Sequence, residues 1–127
     1  MMAVPMDVVR VTFARVLLAS VFAFSAIDKS LNFSSAVTQM QAFGLPAPAL
    51  MTVLVILTQA CGSMLLLIDR LAWLGAALLS LFTLAATMIA HAFWRETGLV
   101  FTHQLTTFLE HMGIIGGLVL AGTASRR

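Results

Sequence analysis

The order of apolar and polar positions divides the 127-residue chain into four long apolar runs, roughly 8–27, 47–68, 71–93 and 104–124. Each is long enough for a helix that crosses a hydrocarbon core of about 30 Å. The second run contains no charged residue and follows "GLPAP". Its prolines fit ahead of and inside a first helical turn, where no needed hydrogen bond is lost. Only Asp69 and Arg70 separate the second run from the third, so those two helices are expected to be antiparallel neighbours. Between the first two runs, "NFSSAVTQMQAFGLP" places Ala36, Val37, Met40 and Phe43 on one helical face, with Ser35, Thr38, Gln39 and Gln41 away from it. Gly44 and Pro46 stop that segment. The spacing predicts a short amphipathic helix over 34–43 lying at the outer membrane surface; a surface loop without membrane contact is the alternative. The expected fold class is thus an all-α membrane protein, an antiparallel four-transmembrane-helix bundle with a short amphipathic helix between helices 1 and 2, forming one integral membrane domain over 1–127.

Helices in lipid cannot associate through the hydrophobic effect, so each span should present small or polar residues to its neighbours. In the first span Arg15, Ala19, Ala23 and Ala26 share a face; in the second, Gln59, Gly62 and Ser63 do. The third carries Ser80, Thr83, Thr87 and His91, and the fourth Glu110, Gly113, Gly117 and Ala121. These faces are expected to line one interior. An isolated charge at mid-helix costs about 2.5–3.5 kcal/mol even on the lenient insertion scale. Arg15 is therefore expected to pair with Glu110, directly or through Gln59, whether for function or only to fix the register of the bundle. His111 is turned about 100° from Glu110, toward a seam or toward lipid.

Composition agrees with the pattern. The chain is 61% hydrophobic and 9% charged, with a mean hydropathy of +1.03, where soluble domains carry about 25% charged residues. No room is left for a separate soluble domain. The net charge is +2, but the basic residues are scattered, which argues against nucleic-acid binding. Cys61 is the only cysteine, so thiol–disulfide exchange within the chain is excluded and the residue reads as helix packing. Arg10 and Arg15 ahead of a stretch ending in "AFSA" imitate a signal peptide; the segment is read instead as a retained first span. Trp73 and Trp94 stand about 31 Å apart along the third helix, the spacing of two interfacial aromatic belts. Arg10, Arg70, Arg126 and Arg127 collect on one side and Lys29 and Arg95 on the other, which places both termini in the cytoplasm.

The interior combines an apolar setting with hydrogen-bond donors and groups that can pass protons. His91, His103, Glu110 and His111 fall on the outer half of the bundle. Histidine shuttles protons near neutral pH, and a carboxylate in an apolar setting can be pushed toward the same range. Haem ligation by His91 and His111 is disfavoured, because a histidine at a helix end is more often interfacial. The spacing of His103, Glu110 and His111 works against a non-haem metal site, and none is assigned. The candidates for substrate binding or proton handling are Arg15, Gln59, His91, Glu110 and His111, with no catalytic residue assigned.

The segments "SAIDKSLNF", "MQAFGLPAPAL", "TQACGSMLLL", "DRLAWLGAALL", "ATMIAHAFW" and "FLEHMGIIGGLVL", in this order, resemble the DoxX family of small four-helix bacterial membrane proteins over nearly the whole chain. The resemblance implies four transmembrane helices in the bacterial cytoplasmic membrane and an association with membrane redox complexes; relatives include the membrane subunit of a thiosulfate:quinone oxidoreductase. Two positions depart from the family's pattern: Gln59 stands where a glutamate is usual, and Glu110-His111 where Lys-Asn is usual. A carboxylate has in effect moved from one helix to another, so Arg15 and His91 carry over most safely. The expected function is a DoxX-like membrane subunit of a redox system, with a quinone or small hydrophobic substrate held in the bundle interior. A non-catalytic accessory or scaffolding subunit of a larger membrane complex is the alternative. A small-solute transporter has less support, because the spans show no pair of broken helices. The expected partners are the lipid bilayer and other membrane subunits or further copies of the chain.

Overall fold

The computed structural model describes residues 5–124; Arg126 and Arg127, counted above among the basic residues, lie outside them. The described residues form five α-helices and two short 3-10 turns, with no strand. The α-helices are α1 (Met6–Leu31), α2 (Phe33–Ala42), α3 (Pro48–Leu67), α4 (Ala72–Ala90) and α5 (Gly98–Thr123). Four helical stretches are long and apolar enough to cross a membrane: Met6–Leu31, Pro48–Leu67, Asp69–Arg95 and Gly98–Thr123. α1 and α5 run beyond their apolar stretches, to Leu31 and from Gly98. Apolarity marks where lipid would be, whereas backbone hydrogen bonding continues through polar residues. α4 instead stops at Ala90, short of the expected 93, and a 3-10 turn, Phe93–Arg95, follows.

Local sequence explains the ends. Asp7 in the first turn of α1 and Lys29 in the last oppose the helix macrodipole favourably. At the end of α2, Gly44 takes φ +74°; its N–H donates to Gln41 O at 2.9 Å and that of Leu45 to Met40 O at 3.2 Å. This is a Schellman cap, which needs a left-handed residue that glycine supplies without strain. The chain then reaches Pro48, the first residue of α3.

The four long helices close into a ring in which α1 packs on α3, α3 on α4, α4 on α5, and α5 back on α1; α2 packs on α3 and α1. Ala36 and Met40 of α2 are buried and Val37 and Phe43 half-buried, so the face read from the sequence turns toward the protein. The core is Ala19, Phe22, Leu66, Ala76, Leu79 and Leu118. Small residues set the closest approaches, as bundles in lipid require. A Cβ on Gly75 would collide with the backbone of Leu66 and lie 2.8 Å from Gly62 O, and one on Gly122 would meet Ala76. Between α1 and α3, Ser63 Oγ donates to Ala19 O at 3.3 Å.

The expected faces of α1, α3 and α4 correspond to buried or half-buried residues, with Phe22 added on α1. The face of α5 is corrected in its first half only, since Gly117 is half-buried and Ala121 buried. Glu110 and Gly113 are exposed, and a Cβ at Gly113 would meet nothing within 4 Å. The inner face runs through His111, Ile114, Leu118 and Ala121–Gly122, about 100° around the helix. α5 has small residues on several faces, so a glycine repeat alone did not identify the packed one.

Candidate functional site

Two polar regions occupy the bundle, one near each end. At the end where α1 begins and α3 and α5 finish, Arg15 is 2% exposed. Its Nη1 donates to Asp69 Oδ1 at 2.9 Å, its Nε to Ala121 O at 2.9 Å and its Nη2 to Ala124 O at 3.0 Å. Ala121 and Ala124 close α5, where the last carbonyls have no partner within the helix and carry the negative end of its dipole. The guanidinium thus caps α5 while it pairs with the turn after α3. The expected pairing of Arg15 with Glu110, directly or through Gln59, does not occur. Glu110 lies 11 residues before Ala121 on α5, about 16 Å along the axis, and the arginine reaches toward the nearer end of the bundle instead. Asp69 was read only as part of a short connection.

The opposite half holds a cavity of about 430 Å³, within the range of about 300–1,000 Å³ of pockets that enclose small ligands. Each helix contributes lining: Phe22, Ser25 and Lys29 from α1, Gln39 and Met40 from α2, Val55 and Gln59 from α3, Phe82, Thr83 and Thr87 from α4, and His111 and Ile114 from α5. The Schellman cap positions Leu45 beside Met40, and both line the cavity. From Lys29 to Phe22, and from Ala90 to Thr83, is seven residues, about 10 Å of helix, so the cavity is about that deep.

Most of the lining is apolar, yet two buried groups there lack partners. Gln59 and Thr83 are each 5% exposed, and neither Gln59 Oε1 nor Thr83 Oγ1 has a hydrogen-bond partner among the described residues. Leaving such a group unpaired costs about 1–3 kcal/mol. The nearby Thr87 is fully engaged: its hydroxyl donates to Thr83 O at 2.5 Å and lies 3.0 Å from His111 Nδ1. A hydroxyl has one proton, so His111 Nδ1 is the donor in that second contact and the neutral ring keeps a lone pair on Nε2. The His91 ring lies against that of His111, centroids 5.1 Å apart and planes at 63°. His91 Nδ1 donates to Gln104 Oε1 at 2.7 Å. The edge-to-face contact leaves no room for a porphyrin plane between the two imidazoles. No group of three or more metal-ligating side chains occurs among the described residues.

Of the five sequence candidates, Gln59 and His111 line one cavity and His91 stands behind His111. Arg15 belongs to the other region and Glu110 is on the outside; His103, outside the five, is exposed. Sequence reading gave Thr83 and Thr87 a face but no role, and treated Lys29 only as a loop charge. Lys29 Nζ donates to Ser25 Oγ at 2.7 Å across one helical turn. The helical spacing of 22, 25 and 29 was the available signal for it.

A family model described as DoxX matches residues 11–92 of the chain. No curated protein and no solved structure matches it.

Proposed function

Since the chain belongs to the DoxX family, we propose that it is the membrane subunit of a redox system and binds a quinone or another small hydrophobic substrate in the cavity beneath α2. One observation carries the reading: Gln59 Oε1 and Thr83 Oγ1 are buried without partners in the wall of an otherwise apolar cavity. A ligand whose polar atoms meet them recovers the hydrogen bonds that the fold leaves unmade. The residues suit a quinone. A bound quinone supplies electron transfer coupled to protons at its ring oxygens. The Thr83 hydroxyl donates to a ring carbonyl, and the Gln59 amide accepts from a ring hydroxyl or, turned over, donates. His111 would take up a proton at its free Nε2 lone pair, with the His91 ring, oriented by Gln104, packed against it. A positioned acid or base of this kind contributes about 10²–10⁴-fold in rate.

The same reading sets the chain as a single domain with its spans antiparallel across the bacterial cytoplasmic membrane and α2 as an amphipathic helix at the outer surface. Arg10 and Arg70 at one end against Lys29 and Arg95 at the other support cytoplasmic termini. A second reading, an accessory or scaffolding subunit, draws on Glu110, which is exposed at the middle of α5 and makes no ion pair among the described residues. Another subunit or a second copy would cover it.

The test is purification from native membranes with identification of extracted quinone and of partner chains. The reading expects bound quinone, reduced at least about tenfold in the double variant Gln59→Leu/Thr83→Val at unchanged helix content. Absence of quinone from the wild-type protein, or its full retention by the double variant, overturns it. Loss of partner chains from Glu110→Gln with quinone retained supports the second reading for that surface.

A further inference from the structure

The distal mouth of the cavity carries a positive charge whose carboxylate neighbour, the exposed Asp28, lies outside the lining. Lys29 is half-buried in the wall. No carboxylate lies within 4.0 Å of its Nζ among the described residues, and the lining contains no Asp or Glu at all. The adjacent Asp28 is exposed and its Oδ1 accepts from Asn32 Nδ2 at 3.0 Å. A lysine near a helix end ordinarily turns its ammonium to the interface. This one uses one of its three donors on Ser25 Oγ, which leaves the Ser25 hydroxyl proton with no acceptor among the described residues. Gln39 of α2 adds a further amide to the same wall. Donors therefore gather at the mouth without an anion, about 10 Å of helix away from the unpartnered Gln59 and Thr83.

We infer that the ligand of this cavity is an anionic amphiphile: its charged head is held by Lys29, with Ser25 and Gln39, and its apolar body runs along Phe22, Val55 and Phe82 toward Gln59 and Thr83. The inference rests on the reading of the cavity as a ligand site and takes the second of the two ligand classes named there, a small hydrophobic substrate that carries a charge, in place of a neutral quinone. A carboxylate or a phosphate satisfies the donors, and its charge offsets the desolvation of the ammonium. A neutral molecule of the same shape leaves the ammonium only Ser25 and the exposed Asp28 outside the cavity.

The experiment is calorimetric titration of octanoate, octyl phosphate and octanol into the full chain in phosphatidylcholine nanodiscs, with protein-free nanodiscs as the blank. At least one of the two anions is expected to bind about tenfold or more tighter than octanol, and which one does so identifies the head group. Lys29→Gln should bring the anions down to the octanol affinity and leave octanol itself unchanged, which also reports that the cavity is intact. Lys29→Arg should keep the preference. If phosphatidylglycerol in the nanodisc competes with the anions in the wild type but not in Lys29→Gln, the natural occupant is a bilayer lipid; absence of competition points to a free acid. Equal affinity of all three ligands for the wild type, or an anion preference that survives Lys29→Gln, overturns the inference. If that happens while extracted quinone is still found and still depends on Gln59 and Thr83, only the anionic class is lost. If no ligand binds and no quinone is extracted, the cavity reading fails with it.

Discussion

Arg15 and Gln59 lie on neighbouring helices, are almost equally inaccessible at 2% and 5% exposure, and were expected to act together. They do opposite things. Each nitrogen of the Arg15 side chain has an acceptor, supplied by Asp69 and the end of α5, whereas Gln59 Oε1 and the neighbouring Thr83 Oγ1 have none among the described residues. A buried polar network whose members are all satisfied rigidifies the structure around it. A buried polar atom left unsatisfied stores a free-energy cost that only a further molecule can remove. The residues that matter for structure and those that suit a ligand are thus separated along the bundle, and burial alone does not tell them apart.

Substitutions that reverse sign between the two regions test this contrast most directly. Arg15→Leu should have the largest effect. It removes the guanidinium from Asp69 and from the α5 carbonyls, and the expected loss is about 2–4 kcal/mol, below the range for a fully buried pair because Asp69 is 46% exposed. Thermal or denaturant unfolding in detergent would measure it, and loss of binding should track loss of fold. Gly75→Ala should come next, at about 1–3 kcal/mol, because the new methyl meets the backbone of Leu66 and the carbonyl of Gly62; the same unfolding assay applies. Thr83→Val should move stability the other way, up by about 1 kcal/mol, since it removes an unpaired hydroxyl at nearly constant shape, while ligand affinity falls. A destabilised Thr83→Val would indicate that the hydroxyl is satisfied after all. Gly113→Ala sharpens the comparison at the low end. Nothing lies within 4 Å of the added Cβ, so a gain of no more than about 0.5–1 kcal/mol from helix propensity is expected, against a clear loss for Gly75→Ala on the packed side.

Different kinds of signal made different parts legible. The four long helices and α2 could be read from period and proline placement, to within a few residues, and so could the inward stripe of Ser80, Thr83, Thr87 and His91, buried or half-buried, which is the one markedly polar face on an otherwise apolar helix. α5 could not be read as safely, because Gly113, Gly116, Gly117, Ala121 and Gly122 offer more than one candidate face and spacing does not say which one a neighbour occupies. The error exchanged Glu110 for His111, adjacent residues that point about 100° apart.

The chain on its own therefore determined what must be helical, what must face lipid or protein on three of its spans, and that Arg15 needed a partner, since these follow from periodicity and from the cost of a charge in hydrocarbon. It did not determine which partner. That choice depends on how far each helix is offset along its neighbours and on the rotation of α5 about its own axis, quantities fixed by where Gly62, Gly75 and Gly122 let backbones approach. The same offsets decided that Lys29, Gln59, Thr83 and His111 share one cavity, because residues up to 82 positions apart meet only once the ring of helices has closed.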